Sequence, residues 1–385
     1  MKYFFTEQQE MVRSLARRIA EEKILPRRAE LDETEEFPWD IIREMAAADL
    51  FRVFIPEKYE GLGGGTLDLC LVVEELSRVC SGVAICYAAT ALGAIPIIEW
   101  GTDAQKQKYL PAIAAGKRLT AFALTESAAG SDAAAIRTQA VKDAGGYSIT
   151  GTKQFITNGG EAEIYTVIAI TDRTKGIRGA SAFIVEKGAE GFTFGKKEKK
   201  MGIRASATRE LIFKNCRIPA ENLLGKEGFG FIITMKTLDR SRPGVAAQAL
   251  GIAQGALEAA IDYSSQRHQF GHPISAIQAV QHILANMATD VEAARALLYA
   301  VCRSIDAGSK DFTEDSAMAK VFASDVAMRV TTDAAQVFGG AGYMRDYPVE
   351  KMMRDAKITQ IYEGANQVLR NAIALDLLKR KGRRP

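Results

Sequence analysis

Cysteine and histidine are both sparse in this chain, five and three among 385 residues. The cysteines, at positions 70, 80, 86, 216 and 302, are odd in number and form neither a C-x-x-C pair nor the Cys/His spacing of a zinc site. A disulfide framework and a metal centre are therefore not expected, whereas a reducing compartment, the cytoplasm, is. An excess of one charge is also missing: 50 Lys and Arg against 47 Asp and Glu leave +3, too little for a nucleic-acid binder. The two basic clusters, at 196–200 and in the tail at 379–384, read as solvated faces. No uninterrupted apolar run reaches the ~18 residues of a membrane-spanning helix. At the N-terminus Met11, Leu15 and Ile19 recur four residues apart beside Arg17, Arg18, Glu21 and Glu22, a helical period and not a signal peptide.

What is present is enough for a large core, since 47% of the residues are hydrophobic and 25% charged. The texture changes twice along the chain. From residue 6 to about 118 it is helical, broken at Pro26, at the glycine-rich turn 61–65 and near Gly101, with largely buried helices at 67–78 and 89–100. Strand-like runs follow at 119–125, 146–150, 164–170, 180–185 and 210–213, separated by Gly, Asn and Asp turns. Long amphipathic helices then return at 246–266, 278–307, 318–338 and 368–378. This order predicts an α+β chain: an N-terminal helical domain (1–119), a small central β domain (120–228) and a C-terminal four-helix-bundle domain (229–385).

Three phrases carry chemistry. Tyr362-Glu363-Gly364-Ala365-Asn366-Gln367 sets one carboxylate between an aromatic ring and a glycine, where an apolar flank disfavours the charged form and a ligand can approach the backbone closely. That combination builds a general base. Phe122-Ala123-Leu124-Thr125-Glu126-Ser127-Ala128-Ala129-Gly130-Ser131 runs from a strand into small and hydroxyl residues suited to a flat ligand with polar edges. Gly151-Thr152-Lys153-Gln154-Phe155-Ile156-Thr157-Asn158-Gly159 repeats the logic, with an aromatic to stack on a ring and Thr157 to donate beside it.

With these phrases stand Met201-Gly202-Ile203-Arg204, Thr237-Leu238-Asp239-Arg240-Ser241-Arg242, Arg267-His268-Gln269-Phe270-Gly271 and Gln336-Val337-Phe338-Gly339-Gly340-Ala341-Gly342-Tyr343. Taken in this order over essentially the whole length, the chain resembles the acyl-CoA dehydrogenase family, most closely its short-chain, butyryl-CoA-type branch. The resemblance implies non-covalent FAD. Phe122, Leu124, Thr125, Gly130, Ser131, Phe155, Ile156 and Thr157 would hold the flavin, with Ala365 and Gln367 nearby. Arg267, Phe270, Gln278, Gln336, Val337, Gly339 and Gly340 would reach the adenosine and pyrophosphate half of FAD on a neighbouring subunit, a guanidinium binding phosphate bidentately. Ser131, Asp239, Arg242, Tyr362 and Gly364 would touch the acyl-CoA, and Ala88 and Ala91 would floor a wide acyl pocket. Glu363 is the expected catalytic base.

Departures from the family pattern sharpen this. The usual tryptophan beside the flavin is Phe155 here, the usual proline after Thr-Glu is Ser127, and Ser241 stands where the isovaleryl and long-chain branches carry a base glutamate. The implied reaction is α,β-dehydrogenation of a short- or medium-chain, branched or alicyclic acyl-CoA, with electron-transfer flavoprotein as acceptor and a homotetramer as assembly. Cyclohexane-1-carbonyl-CoA dehydrogenation, an acyl-CoA oxidase and a non-catalytic FAD-binding subunit are the competing readings. Length disfavours the oxidase, and Glu363 disfavours the silent subunit.

Overall fold

The structure, a computed structural model, describes residues 2–382, so that Arg383 and Arg384 of the basic tail lie outside the described residues. The chain enters its first helix, α1 (Glu7–Ile19), through a capping box in which Thr6 and Gln9 each accept from the other's backbone N–H. Two short helices, α2 (Arg28–Thr34) and α3 (Trp39–Ala47), lead to the long α4 (Thr66–Trp100), followed by α5 (Asp103–Ala114). The two helices expected at 67–78 and 89–100 are one element. Its axis breaks at Cys80, whose φ of −152° and ψ of 103° are extended.

Eight strands follow: β1 (Thr120–Ala123), β2 (Gln139–Asp143), β3 (Gly146–Thr157), β4 (Ile164–Ile170), β5 (Ala180–Glu186), β6 (Phe192–Lys197), β7 (Thr208–Pro219) and β8 (Leu223–Leu224). They form one sheet in the order β6-β7-β3-β2-β4-β5-β8, with β1 lying parallel to β4. The chain then returns to helix in α6 (Gly230–Gln266), which continues through Pro243 and begins sixteen residues before the expected start. A small hairpin of β9 (His268–Gln269) and β10 (His272–Pro273) precedes α7 (Gln278–Asp306) and α8 (Thr313–Phe338). The last elements are α9 (Val349–Thr359), absent from the sequence reading, and α10 (Asn366–Arg380).

Helices α4 and α6 pack closely enough to fix the floor of the site. A methyl group added to Gly251 would lie 2.3 Å from the Glu74 carbonyl oxygen, and one on Gly255 2.1 Å from that of Arg78, so side chains there would push the helices apart. These two helices also correct an expectation, because by length and composition both are apolar enough to cross a membrane. Here 78% and 72% of the stretches concerned are buried against the rest of the chain, as in core helices.

Candidate active site

A cleft of about 380 Å³ lies where the sheet, α4, α6 and the turn before α10 meet. Phe122, Leu124, Thr125, Gly130, Ser131, Phe155, Ile156 and Thr157 line one side, and Arg242, Tyr362, Glu363 and Gly364 the other. Residues named from four separate stretches of sequence thus share one space.

Backbone irregularity creates the first wall. The pairing of β3 with β7 slips between Lys153 and Ile156, and at this bulge Phe155 takes a φ of 58°. The strained residue turns its ring outward, 59% exposed, while Lys153 on the same strand is fully buried. Lys153 in turn ties down the loop after β1. Its Nζ donates to Leu124 O at 2.8 Å and to Glu126 Oε1 at 2.7 Å. Glu126 also accepts from the Arg137 and Thr138 N–H groups at 2.6 and 3.0 Å, and Gln154 N–H donates to Thr125 O at 2.8 Å. Burial pushes the Lys153 ammonium down to about 8, against the pull of Glu126. Burial also opposes ionisation of Glu126, yet Lys153 and the two N–H donors outweigh it and hold the carboxyl below its ordinary value. Neither residue of this clamp was singled out as functional from sequence, although both lie inside the quoted phrases.

The second wall is the turn carrying Glu363. Glu363 and Gly364 have φ values of 52° and 100°, both left-handed. A side chain at 364 would be strained there and would also meet Leu369 at 2.8 Å, which explains the glycine. Ser241 Oγ donates a short hydrogen bond to Glu363 Oε2, and Arg242 Nε donates to the Glu363 carbonyl at 3.3 Å. Burial raises the Glu363 pKa, while Ser241, Arg242 and Lys320 pull against that rise. Tyr362 donates its hydroxyl to Gln248, whose amide donates to Ser81 Oγ at 2.6 Å, anchoring the turn to α6 and α4. Asp239 does not reach the cleft wall. It is buried between Arg242 Nη1 at 2.6 Å and Thr313 Oγ1 at 2.7 Å, and so holds the arginine. Ala88 and Ala91 line a separate apolar space of about 20 Å³ behind Glu363, shared with Leu69, Val73 and Gly244.

The remaining candidates stay away from this cleft. Arg267, Phe270, Gln278, Gln336, Gly339 and Gly340 are exposed, Phe270 by 89% at the tip of the β9–β10 hairpin with a φ of 54°. Val337 differs from its neighbours, for its side chain is buried in the core. Ala365 and Gln367 flank the start of α10 without lining the cleft.

Models of the acyl-CoA dehydrogenase N-terminal, middle and C-terminal domains match residues 6–117, 121–216 and 228–378. The short-chain specific acyl-CoA dehydrogenase of Megasphaera elsdenii is 50% identical over 374 residues, 96% of this chain and 97% of that protein. The chain belongs to the acyl-CoA dehydrogenase family. Among solved structures, butyryl-CoA dehydrogenase from Megasphaera elsdenii superposes with a TM-score of 0.96 at 48% identity, over 98% of this chain and 100% of that one. A chain from a structure described as the electron transferring flavoprotein of Acidaminococcus fermentans does so at 0.96 and 52%, with the same coverage. An acyl-CoA dehydrogenase from Bacillus anthracis complexed with FAD reaches 0.91 at 32% identity, over 98% of this chain and 68% of that one.

FAD is the cofactor of acyl-CoA dehydrogenases, and the cleft fits a flavin. The Phe155 ring is exposed on its wall, Thr125, Ser131 and Thr157 bring hydroxyls, and a methyl group on Gly130 would meet nothing within 4 Å, which leaves the approach to that backbone open.

Proposed function

We propose that this acyl-CoA dehydrogenase converts a short acyl-CoA, butyryl-CoA or a compact branched or alicyclic one, to the 2-enoyl-CoA, with Glu363 as base and electron-transfer flavoprotein as acceptor. The observation that carries the reading is the position of Glu363, which lines both the cleft and the small apolar space beside it. That space, lined by Ala88 and Ala91, is small, about 20 Å³. Replacing Ala88 or Ala91 by a larger residue would close it.

Burial makes Glu363 a stronger base than a solvated carboxylate. It removes the α-proton and holds it on its carboxyl oxygen. The backbone N–H of Glu363 is assigned to the thioester carbonyl, where one such donor contributes roughly 3 kcal/mol to stabilising the developing oxyanion. Arg242 and Ser131 orient the acyl-CoA, and Phe155 keeps water from the reacting carbons. Phe122, Thr125, Ser131, Phe155 and Thr157 would hold FAD, which would supply the hydride acceptor that makes the overall step an oxidation.

The exposed Arg267, Phe270, Gln278, Gln336, Gly339 and Gly340, with the buried Val337 between them, are assigned to the FAD of a neighbouring subunit in a homotetramer. None of them lines the cleft of their own chain, which supports this. The reading is tested by adding linear acyl-CoAs from butyryl to lauroyl, with branched and alicyclic ones, to the holoenzyme without oxygen while flavin absorbance is followed. Butyryl-CoA is expected to bleach the flavin faster than the long chains, and equal or faster bleaching by lauroyl-CoA would contradict the short-chain assignment.

A further inference from the structure

Beneath the Glu363 turn lies a cation that the reaction as described does not use. Lys320 sits on α8 with no exposed surface. Its Nζ donates to the Gly364 carbonyl at 2.8 Å and to Asn366 Oδ1 at 2.9 Å, so it bridges the turn and the first residue of α10. Both acceptors are neutral, an unusual setting for a buried ammonium. In the sequence it appears as a single lysine in the apolar stretch Ala317-Met318-Ala319-Lys320-Val321-Phe322.

The charges facing Lys320 come from four elements: Glu363 on the turn, Arg242 on α6, Asp325 on α8 itself and Arg370 on α10. Three of these are already matched. Arg242 is paired with Asp239, and Asp325 with Arg370, while Asp325 also accepts from Gln360 and Asn366 at 2.6 and 2.9 Å. The positive charge left over in this group is Lys320, and the negative charge left over is Glu363.

We infer that Lys320 is a positioning residue for the base: its ammonium fixes the left-handed Glu363–Gly364 turn and favours the ionised form of the Glu363 carboxyl. The inference rests on Glu363 being the base. Burial lowers the Lys320 pKa to about 7, with Glu363 the largest influence in the other direction, so each group supports the charge of the other.

The test is the pH profile of anaerobic flavin reduction by butyryl-CoA in Lys320→Met, which keeps the length of the side chain and removes its charge. Without the cation Glu363 holds its proton to higher pH, so the acid limb of the profile moves up. A displacement of one unit lowers the rate by up to roughly 10-fold relative to wild type on the acid side of the limb, with recovery as the pH is raised. A loss of equal proportion at every pH, or a limb that stays in place, would overturn the inference. If Lys320→Met does not fold or retain FAD, Lys320→Arg decides: the retained cation predicts a limb at the wild-type position, and a limb displaced upward would overturn it. Glu363→Gln keeps the two ideas apart. Should that variant reduce its flavin normally, the base assignment itself fails; should it be inactive while the Lys320→Met limb is unmoved, the failure belongs to Lys320 alone.

Discussion

Glu126 and Lys153 show how a single buried pair shapes the cofactor side of the cleft. The lysine side chain has no exposed surface and that of the glutamate only 9%, and together they hold the loop that presents Thr125, Gly130 and Ser131. Glu126→Gln leaves a buried ammonium without its counter-charge, a loss of about 3 to 5 kcal/mol, and thermal denaturation is expected to show the drop together with weaker FAD retention. The pH dependence has a definite sign. Because the folded-state pKa of Glu126 lies below its ordinary value of 4.5, its stabilisation is complete above 4.5 and disappears as pH falls through the folded value. The gap between wild type and Glu126→Gln should therefore be widest near neutral pH and close in acid; a gap that widened in acid would contradict the account. Single residues were legible where their chemistry is unusual for their setting, as with Glu363 between a tyrosine and a glycine. Lys320, Gln248 and the Glu126–Lys153 clamp were not, since their roles depend on partners distant in sequence, Gln248 reaching Tyr362 and Ser81 for example.

At the scale of elements, the contact between α4 and α6 sets the position of Ser241 and Arg242 against Ala88 and Ala91. Gly255→Ala places a methyl group where the Arg78 carbonyl now sits, and overpacking of this kind costs roughly 1 to 3 kcal/mol. A lowered melting temperature is expected, with slower flavin reduction because α6 shifts; an unchanged melting temperature would mean the helices are free to separate there. Elements were read well when pattern and burial agreed. Strand β4 is buried along its whole length and was located to the residue, whereas β2 and β6 are mostly exposed or half-buried and lack any alternation to detect. Helix α9 was missed because its inward positions include Lys351 and Asp355, a buried ion pair that reads from sequence as a solvated face. Helix α6 continues through Pro243, which a long packed helix tolerates here.

For the whole molecule, the proposed assembly assigns Arg267, Phe270, Gln278, Gln336, Gly339 and Gly340, which are exposed and outside the cleft of their own chain, to the FAD of a neighbouring subunit. Arg267→Ala removes a charge-assisted phosphate contact of roughly 1.5 to 3 kcal/mol, so FAD release on dilution, followed by flavin fluorescence, should increase about 10- to 150-fold. Normal FAD retention would remove Arg267 from the cofactor site. The central claim is that a chain of this fold abstracts the α-proton of an acyl-CoA with Glu363, and it is met most directly by rapid anaerobic mixing of butyryl-CoA with wild type and with Glu363→Gln of matched FAD content. The glutamine keeps the shape of the side chain and cannot take the proton, so the account predicts flavin reduction slower by roughly 10²- to 10⁴-fold with product binding intact. Reduction of the Glu363→Gln flavin at a near wild-type rate would contradict it.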